Sequence, residues 1–487
     1  MGPVPLKSLL ALCILWALPL SLPAQDAPVR GCRPVAGRQG AIHHAPRLTS
    51  SDAADHYIGE RRQLVVLVSF ADQTFKEADP LPLWDRVFNT HELDEPPFRG
   101  SIHDYFFAQS LGKLDLSFDM FHITLADSAA RYRSTSADDE NSKYLVSDLV
   151  DVLLTMDIDW QQYDWNDDGY IDQLLIVYAG KGQNNGGGPN TIWPHQWWLS
   201  AHTDCQPRTV SSQGHDYWVD SYCCVPELTG SNTYGTFGTI CHEYTHCFGF
   251  PDFYYGSTKY VYGWDLMDYG NYNGSGFCPP NYSAHERMLM GWMTPTELTQ
   301  PANIRNMTTS EAYLIRNDGY ANEYYIVENR QQQGWDAGLP GSGVVVFHID
   351  YDSSIWNSTT EMTNTPTRQR YTIVPANNRK NTASGWAYPY AGNDSLTDQS
   401  VPAALLIHPG SDGRTLLSKP LTHISTESGM AAFDFMGGDP TSIASIRRES
   451  NALAGRESKV MARMGPISIV RMEDGRVVKV MRHTGKK

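Results

Sequence analysis

Between Gly238 and Asp252 the chain reads GTICHEYTHCFGFPD. His242 and His246 are four residues apart, so on a helix both imidazoles fall on one face and reach a single ion. Glu243 projects beside them, placed to take a proton from an attacking water. Gly249 can adopt the left-handed conformation that ends a helix, and Pro251 prevents the helix from resuming. The chain can then turn back and present Asp252 to the same ion. Two imidazoles, one carboxylate and an open fourth position describe a catalytic zinc site rather than a closed structural one. Cys241 and Cys247 sit one residue outside the two histidines, about 100° round the helix from their neighbours, and suit packing or disulfides better than the ion.

Two further constellations stand outside this segment. Asp164-x-Asn166-x-Asp168-Gly169-Tyr170-x-Asp172 spaces oxygen ligands as a calcium loop does, with the main-chain carbonyl of Tyr170 among them and Gly169 at the sharp bend. Leu175 stands where an EF-hand has its bidentate Glu, so a calcium site of extracellular-module affinity is the expectation, against a metal-free Asx turn. Near the N-terminus, Arg30-Gly31-Cys32-Arg33-Pro34 offers a thiol that either fills the open zinc position as a latency switch or forms a disulfide.

The elements that must hold these residues follow from periodicity. Gln63–Phe70 and Asp172–Gly180 are short apolar runs typical of buried strands, and apolar positions between Asn141 and Met156 suit one face of a helix. Strands alternating with helices to about residue 300 indicate an α+β catalytic domain over residues 61–300, with a twisted mixed sheet and an active-site helix. Beyond it, EAYLIRN, EYYIVENR, SGVVVFHIDY, RYTIVPA and MAAFDFMG predict an all-β sandwich over 301–438.

A second segment, YGWDLMDYGNYNGSGF from Tyr262 to Phe277, follows Asp252 by about ten residues. The two together resemble the metzincins, with HExxHxxGxxH/D and a Met-containing turn, and within them the immune-inhibitor-A-like M6 peptidases, whose third ligand is Asp. Gly100–Leu114, Asp172–Trp197, Ser283–Met293 and Tyr324–Asp350 extend the likeness over about residues 60–437. The resemblance implies that Met267 is the Met-turn residue beneath the zinc, and that Tyr269 approaches the metal or the developing oxyanion as a hydrogen-bond donor. It also makes calcium stabilisation an expectation. In the gluzincin arrangement the third ligand is a Glu on a later helix, here Glu286, but Asp252 needs only the turn at Gly249 and Pro251 and matches the metzincin spacing.

Residues 1–24 carry one charge, Lys7, and an apolar run interrupted by Pro19, too short to span a bilayer, which reads as a signal peptide. Residues 25–60 read as a pro-segment. Eight cysteines, seven of them after the signal, suit an exported chain, though sequence does not choose their pairing. The net charge of −16 divides unevenly: residues 441–487 hold 11 Lys or Arg against 4 Asp or Glu, while the body over 25–440 carries −24. That body is a poor grip for nucleic acid. The basic tail, 439–487, reads as a hairpin turning at Glu473-Asp474-Gly475 and resembles sorting segments of Bacteroidetes type IX secretion. The expectation is a secreted or cell-surface zinc endopeptidase, made as a zymogen and acting on protein substrates without a transmembrane anchor. The alternative is a non-catalytic adhesin with a structural metal.

Overall fold

The computed structural model describes residues 56–134, 141–202, 204–358 and 361–438, with the backbone of three strands at 457–464, 467–472 and 477–481. The expected signal peptide, Cys32 with nearly all of the pro-segment, and the turn at 473–475 lie outside the described residues.

The first half is built on β1 (Gly59–Ser69), β2 (Leu114–Thr124), β3 (Tyr170–Ile171), β4 (Leu174–Lys181), β5 (His195–Trp198), β6 (Arg208–Ser212), β7 (His215–Val219) and β8 (Ser221–Leu228). Five of these form a mixed sheet in the order β2-β1-β4-β8-β5, parallel except for β5 at the edge. Along β1, Val65 and Leu67 enter the core on one face while Leu64, Val66 and Val68 enter the core on the other. Burial on both faces is why this strand reads as an unbroken apolar run instead of an alternation. Helix α1 (Leu81–Asn89), helix α2 (Ile102–Gln109) and the site helix described below cover one face, and α3 (Ser142–Leu153) covers the other through Leu145, Val146, Leu149, Val150 and Leu153. β3, β7 and β6 make a small separate sheet.

Two elements carry the candidate site and its support: α4 (Phe237–Cys247) and α5 (Ala284–Leu289). Ser283 caps α5 in a capping box with Glu286, Ser283 Oγ accepting from Glu286 N–H and the Glu286 carboxylate accepting from Ser283 N–H.

In the second half, β9 (Thr296–Glu297), β11 (Ala312–Arg316), β12 (Glu323–Arg330), β13 (Gly343–Asp350) and β14 (Tyr371–Ile373) form one sheet in the order β14-β13-β12-β11-β9. β10 (Ala302–Met307), β15 (Leu421–Glu427) and β16 (Met430–Phe435) form another, in the order β10-β16-β15. One face of the five-stranded sheet (Tyr313, Ile315, Tyr325, Val327, Val344, Val346) shares a core with Ile304, Ile424, Phe433 and Phe435 of the three-stranded sheet. Its opposite face (Leu314, Ile326, Val345, Phe347, Ile349) belongs to the same core as α4 and the large mixed sheet. The core therefore runs without a break across residue 300. At the other end, β17 (Glu457–Met464), β18 (Ile467–Met472) and β19 (Val477–Met481) form an antiparallel sheet, adding one strand to the expected hairpin.

The start of the described chain is built in as well. His56 pairs with Asp172 at 2.6 Å, Tyr57 is buried, and Trp292 Nε1–H donates to the Tyr57 carbonyl. The last residues of the expected pro-segment are thus part of the folded body. No helix among the described residues is long and apolar enough to cross a membrane.

Candidate metal centre

Helix α4 is buried around nearly its whole circumference, His246 being the one residue of it that is only half-buried. Such a helix stands in the middle of a core, where its side chains are held on every side. Tyr244 hydroxyl donates to Gln63 on β1, and Thr245 is hydrogen-bonded to Tyr282. Gly238 meets the 270–276 segment so closely that a Cβ there would lie 2.0 Å from the Asn271 carbonyl. The helix ends at Gly249, whose φ is +92°, and the chain doubles back to Asp252.

Asp252 Oδ1 lies 3.2 Å from His242 Nε2 and 3.3 Å from His246 Nε2. Among the described residues these three are the one group of three or more His, Cys, Asp or Glu side chains whose ligand atoms converge, all within 4.8 Å. Tetrahedral zinc with bonds near 2.05 Å holds its ligand atoms about 3.3 Å apart, so the donor set fits the ion. Each imidazole is oriented from behind: His242 Nδ1 is 2.8 Å from the Leu266 carbonyl and His246 Nδ1 is 2.7 Å from the Phe250 carbonyl. A carbonyl accepts only from N–H, which fixes the tautomer and turns the Nε2 lone pair toward the ion. His246 Nε2 and Asp252 Oδ1 are buried and have no hydrogen-bond partner, as expected of atoms reserved for a cation. Burial alone favours the neutral forms; the mutual attraction outweighs it, raising His246 and holding Asp252 well below the usual carboxylate range. Glu286 is not in this group. Its carboxylate caps α5 inside the core, so the structure offers Asp252 as the third ligand and not Glu286.

The segment after Asp252 ties the ligands together. The Leu266 carbonyl orients His242, and the Met267 carbonyl accepts from Phe253 N–H at 2.8 Å, next to Asp252. Met267 itself is fully buried, and its N–H donates to Asp265. Sequence reasoning missed what braces this turn. Tyr371, from β14, donates to Asp265 and packs face-on against Phe253 at 4.0 Å, while the Asn364 amide donates to the Phe253 carbonyl. Burial raises the carboxyls of both Asp265 and Glu286, and the neighbouring Asp265 charge raises Glu286 further. These partners come from about 100 residues downstream, and no local pattern marks them.

A cleft opens beside the ligands, lined by His242, Glu243, Thr239, Trp193, Tyr254 and Tyr272, with Asn184, Pro194, Asp268 and Asn271 completing it. Tyr269, expected here, is not among the lining residues; its ring packs on Tyr272 with Lys259 Nζ over it at 3.3 Å. Asp268 is 1% exposed, and its Oδ2 accepts from the N–H groups of Tyr260, Val261 and Tyr262. Burial pushes this carboxyl up to about 7 against the pull of those three donors.

The calcium reading is not supported. Asp164, Asn166, Asp168, Tyr170 and Asp172 do form one loop, but its oxygens are turned to local hydrogen bonds: Asp164 accepts from the Asp168 and Gly169 N–H groups, Asp168 from Tyr170 N–H, and Asp172 from Trp165 N–H while pairing with His56. The carboxylates do not converge as a metal group. All six described cysteines are free thiols, and Cys241 and Cys247 pack in the core, as their positions on the helix led one to expect.

Residues 98–291 match the family model described as "Immune inhibitor A peptidase M6, catalytic domain". Immune inhibitor A of Bacillus thuringiensis subsp. alesti is 26% identical over 312 residues, covering 54% of this chain and 43% of that protein. The chain thus spans less than half the length of that relative.

Proposed function

Residues 98–291 being an immune-inhibitor-A-like (M6) metallopeptidase domain, we propose that the chain is a secreted zinc-dependent endopeptidase acting on protein substrates. The observation that carries this reading is the convergence of His242, His246 and Asp252, with His242 and Glu243 lining the adjoining cleft. Zinc, when bound, would polarise the scissile carbonyl and make water acidic enough to attack near neutral pH. His242, His246 and Asp252 would hold it, with the Leu266 and Phe250 carbonyls keeping the imidazoles aimed. Glu243 takes the proton from the attacking water on its carboxylate and returns it to the nitrogen of the leaving amine, so the same group serves as base and then acid. Met267 supports the ligands from beneath. The phenol expected at Tyr269 has nearer counterparts in Tyr254 and Tyr272, which line the cleft.

Substituting Glu243→Ala tests the mechanism. Zinc content should stay near one per chain, by elemental analysis, while cleavage of casein falls by at least about a thousandfold. Undiminished cleavage by that variant would refute the assignment.

A further inference from the structure

Asp268 spends one carboxylate oxygen on three backbone N–H groups, and its other oxygen, Oδ1, is buried with no hydrogen-bond partner. Asn271, 5% exposed, has an unpartnered buried Oδ1 as well, and so does Asn184. All three residues line the cleft that holds His242 and Glu243. A buried acceptor left unmade costs about 1–3 kcal/mol, and more when charged, so three lining one cleft offer a donor from outside a place to bind. The rest of the lining specifies that donor. Among the described residues that form the cleft, none is Lys or Arg, the acidic side chains are Glu243 and Asp268, and the walls carry Trp193, Tyr254 and Tyr272. Ammonium and guanidinium groups have only donors to offer and are attracted to aromatic faces.

We propose that this cleft contains a recognition subsite for a cationic nitrogen group of the substrate, a Lys or Arg side chain next to the scissile bond or a free α-amine, received by Asp268 and Asn271. The inference rests on the peptidase reading and names the substrate class of the same site. It gives Asp268 a role apart from the metal: its bound oxygen fixes the 260–262 loop, and its open oxygen sets preference.

The test uses the full-length, zinc-loaded protein and N-acetylated fluorogenic peptides that differ only in Lys against norleucine or Arg against citrulline, each also made with a free N-terminus. The expected result is a kcat/KM at least about tenfold higher for the charged member of each acetylated pair. In Asp268→Asn, with a melting curve as the folding control, that ratio should fall toward one; Asn271→Ala should lower it in the same direction. If only peptides with a free N-terminus are preferred, the cation is the α-amine and the subsite stands. Equal cleavage by the wild type of all the peptides, charged and neutral, acetylated and free, overturns the subsite and leaves the peptidase reading intact. Absence of any cleavage, casein included, strikes the peptidase reading itself.

Discussion

His242 and His246 each give one ring nitrogen to a carbonyl, which leaves both Nε2 atoms facing Asp252 Oδ1, the arrangement that the proposed zinc site needs. Asp252 closes it. Replacing Asp252 with Ala should leave two imidazoles unable to retain the ion, and zinc per chain should drop below about half after dialysis at neutral pH, measured by mass spectrometry. This much could be read from sequence because all three ligands lie within eleven residues and their geometry follows from one helix and one glycine. Asp265, Asp268, Asn364 and Tyr371 could not be found that way, since their significance comes from partners brought together by the tertiary fold. Tyr371→Phe removes a phenol that bridges Asp265 and Ser283 inside the core. Urea denaturation should show a loss of about 1–3 kcal/mol, the cost of stranding buried acceptors.

At the level of elements, the long periodic stretches were legible. The runs at 63–70 and 172–180 became β1 and β4, and the apolar face at 141–156 became α3. β5, β6 and β7 went unread because strands of four or five residues carry too few positions to show a period, and β10 and β15 are interrupted by irregular register. The calcium pattern is ambiguous for another reason. Its residue types satisfy a spacing rule equally well by bonding to their own backbone. Two predictions belong here. Gly238→Ala would drive a methyl into the Asn271 carbonyl, separating α4 from the segment that lines the cleft, and should lower stability by about 2 kcal/mol or more in thermal unfolding. His103 on α2 is buried between Asp104 and Asp115, whose carboxylates outweigh the effect of burial and raise its pKa to about 9. Its contribution is therefore complete below its ordinary pKa of 6.5 and lost as pH rises through about 9. Urea midpoints taken from pH 6 to 10 should decline over that window, and His103→Asn should flatten the decline.

Taken whole, the molecule is less divided than its sequence implies. The change of character near residue 300 is real at the level of elements, a mixture of helices and strands giving way almost wholly to strands. Yet the strands from β11 to β14 send one face into the core of α4, and the periodicity of a strand cannot say what each face will meet. A chain ending at residue 300 should consequently fail to yield soluble, cooperatively melting protein, whereas residues 56–438 should melt in a single transition by calorimetry. The family match ends at residue 291, short of the residues that brace Asp252 and the Met267 turn. The sheet apolar on both sides also bears on motion. Swinging the second half away from the first would expose Leu314, Ile326, Val345, Phe347 and Ile349 to water together, so a hinge there is closed to thermal fluctuation. The two halves therefore move as one body, and any widening of the cleft falls to the short segments at its rim.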